Sequence, residues 1–315
     1  MIARIVWILV VVQLAIALAL AAWAWRAGHV ADPLLALALG LGLVLLARVA
    51  ISINNFFQAW RYRSETPPAL RLNGWGALRL FCGEFYASML SSSWTMACRR
   101  FDRRVAAQPA GPPVLLVHGY GCNSGYWHAM SRALAQAGIT HYAIDLEPVL
   151  AGIDELVPML HAAIERICRD TGAKKIVIVA HSMGGLVARA CLRDHGSDRI
   201  AKLITLGTPH RGTALANFGV GANTVQMRWT GSAQDGKSSV WLQQLAASED
   251  QATRRLIVSL YSHHDNIVSP QLSACLEGAT NVGLHGIGHV ALALHPLVQA
   301  RVIAEVLACG KDGAA

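Results

Sequence analysis

The stretch 174-KKIVIVAHSMGGL-186 carries a strand pattern straight into a tight turn of small residues with one serine at its tip. Residues 176–180 (IVIVA) are aliphatic or small without polar alternation, which suits a central strand of a parallel sheet covered on both faces. His181-Ser182-Met183-Gly184-Gly185 then forces a sharp reversal, and residues 186–192 have helical character. A strand, turn and helix in this order lift a serine out of a sheet, and the strained turn needs small neighbours two positions away on each side. Those neighbours are Ala180 and Gly184. Alanine in place of a first glycine is a mild departure, small enough for a close strand-to-helix contact. The bland reading, a glycine-containing loop without chemistry, weakens once partners for Ser182 are counted.

A serine hydroxyl is a poor nucleophile until a base takes its proton and a third group fixes that base. Both partners belong in loops at the C-terminal ends of strands, where the sheet presents Ser182. Tyr261-Ser262-His263-His264-Asp265-Asn266 follows a strand pattern at 256–260, and Asp265 is the carboxylate of that loop. Its competing role is an Asx-turn residue. A weaker strand pattern at 280–284 leads into His285-Gly286-Ile287-Gly288-His289-Val290. Among 13 histidines, His289 is favoured as the base over His285 and His295, while His263 or His264 is expected to hold a loop by hydrogen bonding. Ser182, Asp265 and His289 stand in the chain order that this architecture uses.

Acyl transfer puts negative charge on a carbonyl oxygen, so backbone N–H donors should wait there, each worth about 3 kcal/mol. The N–H of Met183, at the start of the helix after the serine, is one candidate. The other is the N–H of Tyr120, in the loop His118-Gly119-Tyr120-Gly121-Cys122-Asn123 that follows the short strand pattern at 114–117. His118 itself reads as a structural hydrogen-bonding residue. His181 and Met183, flanking the serine, are expected to face the substrate or the core.

Taken together, VHGYG, AHSMGG, ITLGTPHRGT, YSHHDNIVSP and GIGHV resemble the α/β-hydrolase superfamily, in particular its bacterial triacylglycerol lipase and esterase branch. The resemblance covers about residues 113–307. Strand patterns at 114–117, 139–146, 176–180, 200–206, 256–260 and 280–284 alternate with helical patterns, those at 125–137 and 153–169 among them, which means a doubly wound, mostly parallel α/β sheet. The resemblance implies Ser182 as nucleophile, Asp265 as acid, His289 as base, and Tyr120 and Met183 as oxyanion donors. Ala180 matches a small-lipase variant of the motif. The implied substrate is an ester or lipid, with no metal or organic cofactor. The same acyl-enzyme would also serve an acyltransferase or thioesterase, and a catalytically silent membrane scaffold is the reading from another class. Residues 213–247, an insertion rich in Gly, Ser, Asn and Gln with interspersed apolar residues, resemble a cap or lid; a surface loop with a small satellite core is the alternative. His181, Leu215 and Phe218 are the expected pocket-lining residues.

The rest of the chain sets the location. Of its 315 residues 54% are hydrophobic and 15% charged, and most of that apolar excess lies at the N-terminus. Residues 5–25 carry no charge and a second apolar run occupies about 33–53, each long enough to cross a hydrocarbon core of about 30 Å. Trp7, Trp23 and Trp25 sit where interfacial aromatics belong, and Arg48 is expected to snorkel toward headgroups. Residues 1–59 therefore read as a transmembrane hairpin; a cleaved signal peptide is the competing reading of the first run, whose length and single Arg4 fit it poorly. Lys and Arg counts beside the spans predict both termini in the cytoplasm, on a bacterial inner membrane. Seven dispersed cysteines fit reduced thiols there.

Residues 60–112 read as a linker and an amphipathic helix at about 76–98, lying on the membrane or packed on the catalytic domain at 113–310. The formal charge of +8 comes without a dense basic block, which argues against nucleic acid as a partner. The cluster Arg99, Arg100, Arg103 and Arg104 could touch acidic lipids or be a solvated face. Oligomeric state leaves no signature in the sequence.

Overall fold

The structure, a computed structural model, describes residues 1–311. Its centre is a seven-stranded sheet: β1 (Arg103–Arg104), β2 (Val114–Val117), β3 (His141–Ile144), β4 (Ile176–His181), β5 (Ile200–Leu206), β6 (Ile257–Ser262) and β7 (Thr280–Leu284). The spatial order is β1-β3-β2-β4-β5-β6-β7, parallel throughout except for antiparallel β1 at the edge. β4, the strand that leads into Ser182, is therefore interior.

The missing polar alternation in β2 and β4 has a simple cause: their successive side chains enter two different cores. Leu115, Val117, Ile176, Ile178 and Ala180 pack on one side with Leu156, Leu160 and Ile164 of the helix Ile153–Thr171. Val114, Leu116, Val177 and Val179 pack on the other with Trp127, Met130, Val298 and Val302. The helices His128–Gln136 and Pro296–Lys311 supply that second layer.

Most expected elements are present, with local differences. Of the apolar run 139–146 only β3 is strand, and the helix His128–Gln136 is preceded by a 3-10 turn, Ser124–Trp127. β1 was not expected from its sequence. Its register, Arg103 opposite Tyr142 and Arg104 opposite His141, consumes half of the arginine cluster. Arg100 pairs with Asp145 at 3.2 Å and Arg103 with Asp170 at 3.7 Å, so these side chains are engaged with the domain.

Two helices, α1 (Ile2–Arg26) and α2 (Pro33–Arg61), are long and apolar enough to cross a membrane. Pro33 at the first turn and Asp32, whose carboxylate accepts from the Leu34 amide at 2.8 Å, restart the chain as α2 after the turn. Gly40 meets α1 where a Cβ would lie 2.2 Å from the Ala17 carbonyl oxygen, so the two helices touch backbone to side. Arg48 departs from the expectation of snorkelling. Its guanidinium donates to Gln13 Oε1 at 2.6 Å and to the hydroxyls of Ser92 and Ser93 at 3.2 and 2.9 Å. A charge with that many protein acceptors has no need of headgroups.

Both free ends of the helix pair rest on the sheet domain and the segment before it. Ile2 and Val6 are buried with Met96, and the Met1 ammonium pairs with Glu147. At the far end of α2, the Ala59 carbonyl accepts from Ser269 Oγ at 2.8 Å, and the Ser64 amide donates to Gln271 Oε1 at 3.0 Å. The helix expected at 76–98 is α3 (Gly74–Leu90), continued through a π turn at Ser91–Thr95 to Cys98. Leu80, Glu84 and Ala87 form its buried stripe, while Trp75, Leu78 and Tyr86 stay exposed.

Candidate active site

Ser182 is, among the described residues, the one non-glycine with positive φ (φ 54, ψ −126). Such a conformation costs about 1–3 kcal/mol and persists only where the surroundings over-determine it. They do so here. The Ser182 amide donates to the Leu206 carbonyl at 2.9 Å, and its own carbonyl accepts from the Gly185 amide at 3.0 Å and from Thr208 Oγ1 at 2.9 Å. A Cβ on Gly184 would lie 2.5 Å from the His118 carbonyl oxygen, and one on Gly119 would lie 2.8 Å from Ser182 Cβ. These small residues are needed for the turn to close. Ala180 is fully buried in β4 and its methyl is accommodated there.

Asp265 and His289 meet across the loops after β6 and β7. His289 Nδ1 donates to Asp265 Oδ2 at 2.8 Å, and both side chains are buried. The other carboxylate oxygen accepts the amides of Ile267 and Val268 at 2.8 and 2.7 Å, an Asx-type turn that coexists with the contact to His289. Gly207 (φ +57), which follows the Leu206 carbonyl bound by Ser182, is the hinge between the two halves. A Cβ there would lie 3.1 Å from both Asp265 Oδ2 and His289 Nδ1. The end of β5 thus touches the serine turn and the Asp–His pair together.

The backbone of His289 is gripped on all sides. Its amide donates to Asn266 Oδ1 at 3.0 Å and its carbonyl accepts from His181 Nε2 at 3.1 Å. The next two amides, of Val290 and Ala291, donate to Glu84 at 3.0 and 2.9 Å. Burial alone would push the His289 imidazole toward its neutral form. The charge and hydrogen bond of Asp265, helped by Glu84, outweigh that and raise its pKa. His181 goes the other way, held well below the ordinary histidine value by burial and by the neighbouring His289.

The remaining expected residues fall as follows. Met183 opens the helix Met183–His195 and is buried. Tyr120 stands in a loop closed by the Cys122 amide on the Gly119 carbonyl, with Gly121 at positive φ, and its hydroxyl donates to the Val220 carbonyl at 2.8 Å. Among the described residues, neither the Tyr120 nor the Met183 amide is engaged by another group of the chain. His181 is buried, with its ring centroid 4.5 Å from both the Tyr126 and the His289 ring centroids. Leu215 is half-buried on the 3-10 turn Ala214–Phe218, and Phe218 at its end is 66% exposed. Both belong to the insertion after β5, which folds as short helical turns and a two-residue hairpin, Trp229–Thr230 with Lys237–Ser238.

His118 is buried and bonds to backbone: its Nδ1 donates to the Gly119 carbonyl at 2.9 Å and its Nε2 accepts from the Leu146 amide, beyond β3, at 2.9 Å. His264 Nδ1 accepts from the Gly286 amide at 3.1 Å, His285 is exposed, and His295 caps the last helix by accepting from the Leu297 amide. Four contributors escaped sequence reasoning: Glu84, Asn266, Gly207 and Thr208. Gly207 and Thr208 stand in ITLGTPHRGT and Asn266 in YSHHDNIVSP without a role legible there, and Glu84 is the sole carboxylate in the apolar stretch 74–98.

Residues 112–239 match the family described as the alpha/beta hydrolase fold. Over 114 residues the chain is 31% identical to triacylglycerol lipases of Pseudarthrobacter phenanthrenivorans and Burkholderia plantarii, a match covering 34% of this chain. The match spans about a third of the length of those relatives, 35% and 32%. Among solved structures, Bacillus licheniformis lipase BlEst2 in mature form aligns with a TM-score of 0.56 at 21% identity, over 66% of this chain and 97% of that one. Aspergillus fumigatus lipase B aligns with a TM-score of 0.51 at 18% identity, over 64% and 55% of the two chains. At these identities the likeness establishes the fold.

Proposed function

We propose that this chain, which has the α/β-hydrolase fold and resembles its lipase and esterase branch, is a membrane-anchored serine hydrolase that cleaves carboxylic esters through an acyl-enzyme on Ser182. The observation that carries this reading is the convergence at Gly207: one loop backs the strained Ser182 turn and the buried His289–Asp265 pair. In the proposed reaction His289 Nε2 takes the Ser182 proton while Oγ attacks the ester carbonyl. Asp265 holds the proton on Nδ1 and stabilises the imidazolium. The amides of Tyr120 and Met183 receive the developing oxyanion. Collapse transfers the imidazolium proton to the leaving alkoxide and releases the alcohol. A water, deprotonated by the same imidazole, then attacks the acyl-enzyme; collapse breaks the bond to Ser182 Oγ, which takes the imidazolium proton back, and the carboxylic acid is freed. Every proton in the cycle is handled by His289, and no cofactor takes part.

The relatives are triacylglycerol lipases, which supports an acyl-ester substrate. The exposed Trp7, Ile8, Leu14, Leu39, Leu43 and Leu46 of α1 and α2 support the anchor, because the protein itself leaves these side chains uncovered. Both ends of the hairpin rest on the catalytic part, as a two-span anchor requires. The excess of Arg at those ends favours the cytoplasmic side. Leu215 and Phe218 would then meet the acyl chain from the cap.

The test is direct. Purified full-length protein should hydrolyse p-nitrophenyl esters and be labelled by a fluorophosphonate at Ser182, and Ser182→Ala should lose both. An unlabelled wild type in a folded sample sinks the reading. An acyl chain-length series that includes phospholipids and thioesters reads out the substrate class, and a C-terminal reporter active only in the periplasm would reverse the topology.

A further inference from the structure

Glu84 is 2% exposed, yet its partners are two backbone amides and no cation: Val290 N–H on Oε1 at 3.0 Å and Ala291 N–H on Oε2 at 2.9 Å. It comes from α3, 206 residues before Val290 in the chain. The amides it accepts begin the one-turn 3-10 helix Val290–Ala293, which starts directly after His289. Gly288 completes the fit, since a Cβ there would lie 2.4 Å from Glu84 Oε2. The glycine before the histidine is thus the space that the carboxylate occupies.

A turn of this kind needs no buried carboxylate. A local Ser or Asn cap, half in water, would satisfy the same amides without desolvating a charge. Burial pushes the pKa of this carboxyl up, and the Val290 and Ala291 amides and the charge of His289 oppose that push, so a carboxylate placed here calls for a second reason. The ionisable groups around it are His289, Asp265 and the Tyr126 hydroxyl, which donates to the Val290 carbonyl at 3.1 Å; His181 lies on the far side of the His289 ring. Of these, the imidazole is the one that gains a positive charge in the proposed cycle.

We propose that Glu84 is a positioning residue of the active site: through the Val290 and Ala291 amides its carboxylate fixes the loop that carries His289, and its charge favours the imidazolium formed when Ser182 attacks. The inference rests on His289 being the base. It makes α3, a segment ahead of the hydrolase-like region, part of the catalytic unit. The upward push that Glu84 exerts on the His289 pKa has the sign this role requires.

The experiment uses the full chain in detergent micelles, comparing wild type, Glu84→Gln and Gly288→Ala by thermal melting, kcat, KM and the pH profile of kcat/KM. Glu84→Gln keeps size and one acceptor oxygen but removes the charge. Its kcat should fall roughly tenfold, the equivalent of about 1.4 kcal/mol, with KM little changed and the acid limb moved to lower pH. Gly288→Ala displaces the carboxylate while keeping its charge, so kcat should fall with a smaller movement of that limb. A folded Glu84→Gln with unchanged kcat and an unmoved acid limb overturns the proposal. So does a loss of kcat that merely tracks the folded fraction. If Glu84→Gln does not fold, Gly288→Ala decides: wild-type kcat there, or failure to fold as well, reduces Glu84 to a structural residue. Fluorophosphonate labelling of wild type at Ser182 runs alongside. Without it the hydrolase reading itself falls, whereas labelled wild type with an indifferent Glu84→Gln removes only the positioning role.

Discussion

His181 Nε2 donates to the backbone carbonyl of His289 at 3.1 Å, so the residue before the proposed nucleophile clamps the residue proposed as its base. The clamp requires the proton on Nε2 of a neutral His181, which its burial secures. It also locks the strand end to the histidine loop. His181→Ala should therefore lower kcat by about tenfold, the scale of one buried hydrogen bond near 1.4 kcal/mol. Steady-state kinetics at matched folded fraction check this; a wild-type kcat would show that Asn266 and Glu84 suffice.

The raised pKa of His289 fixes the sign of the pH dependence. Protonated His289 cannot accept the Ser182 proton, so activity is lost as pH falls through the raised value. The acid limb of kcat/KM should have its midpoint above that of a free histidine, about 6.5. Asp265→Asn should move the limb down and cost roughly 10⁴ in kcat, because the neutral amide neither holds the tautomer nor stabilises the imidazolium. The same shift stabilises the fold below the unfolded-state pKa, and that contribution disappears as pH rises through the folded value. Rates on an uncharged ester across pH, with melting curves alongside, give both numbers; a midpoint below 6.5 would contradict the pairing.

Strain at Ser182 should be measurable as stability. Glycine adopts φ near 54 freely, while alanine keeps the β-carbon that makes it costly. Relief of about 1–3 kcal/mol, less the 0.5–1 kcal/mol entropy cost of a glycine, leaves about 1 kcal/mol in favour of Ser182→Gly over Ser182→Ala. Denaturant melts of the two inactive variants make the comparison without interference from turnover. Equal midpoints would mean the turn is unstrained.

The sheet and its serine were legible because IVIVA and the small turn residues obey local rules: a strand buried on both faces and a backbone with no room for side chains. The pairing of Asp265 with His289 was legible because loops after strands converge in this architecture, and the two side chains do meet. Other features depend on contacts that no local pattern encodes. β1 is two arginines whose pairing is decided by Tyr142 and His141, far along the chain. Arg48 was expected to reach for headgroups, but the serines of the π turn lie closer. Asn266 acts through a side chain next to Asp265 that reads as an ordinary loop residue. Glu84 was visible as an isolated carboxylate on an apolar face, but its target lies in a loop brought near only by the fold.

The buried pair Arg189–Glu249 holds the helix after Ser182 to the segment that follows the insertion. Arg189 Nε and Nη2 each donate to the Glu249 carboxylate at 2.6 Å, and both side chains are essentially inaccessible. Arg189 Nη1 also donates to the His210 carbonyl at 3.3 Å, two residues beyond the Thr208 that bonds Ser182. Glu249→Ala leaves the guanidinium buried without its counter-charge and should cost about 3–5 kcal/mol. Replacing both partners by apolar residues, Arg189→Met with Glu249→Leu, removes the buried unpaired guanidinium; Arg254, 3.4 Å from the same carboxylate, is partly exposed and keeps its bond to the Ala246 carbonyl, so most of that loss should be recovered. The two results have different consequences for activity. The single variant should lose turnover only by unfolding, whereas the double variant, stable but without the grip on His210, should show a lower kcat at full folding. Chemical denaturation and kinetics on the same samples separate the two effects, and a double variant as unstable as the single one would mean that packing, not the unpaired charge, sets the cost.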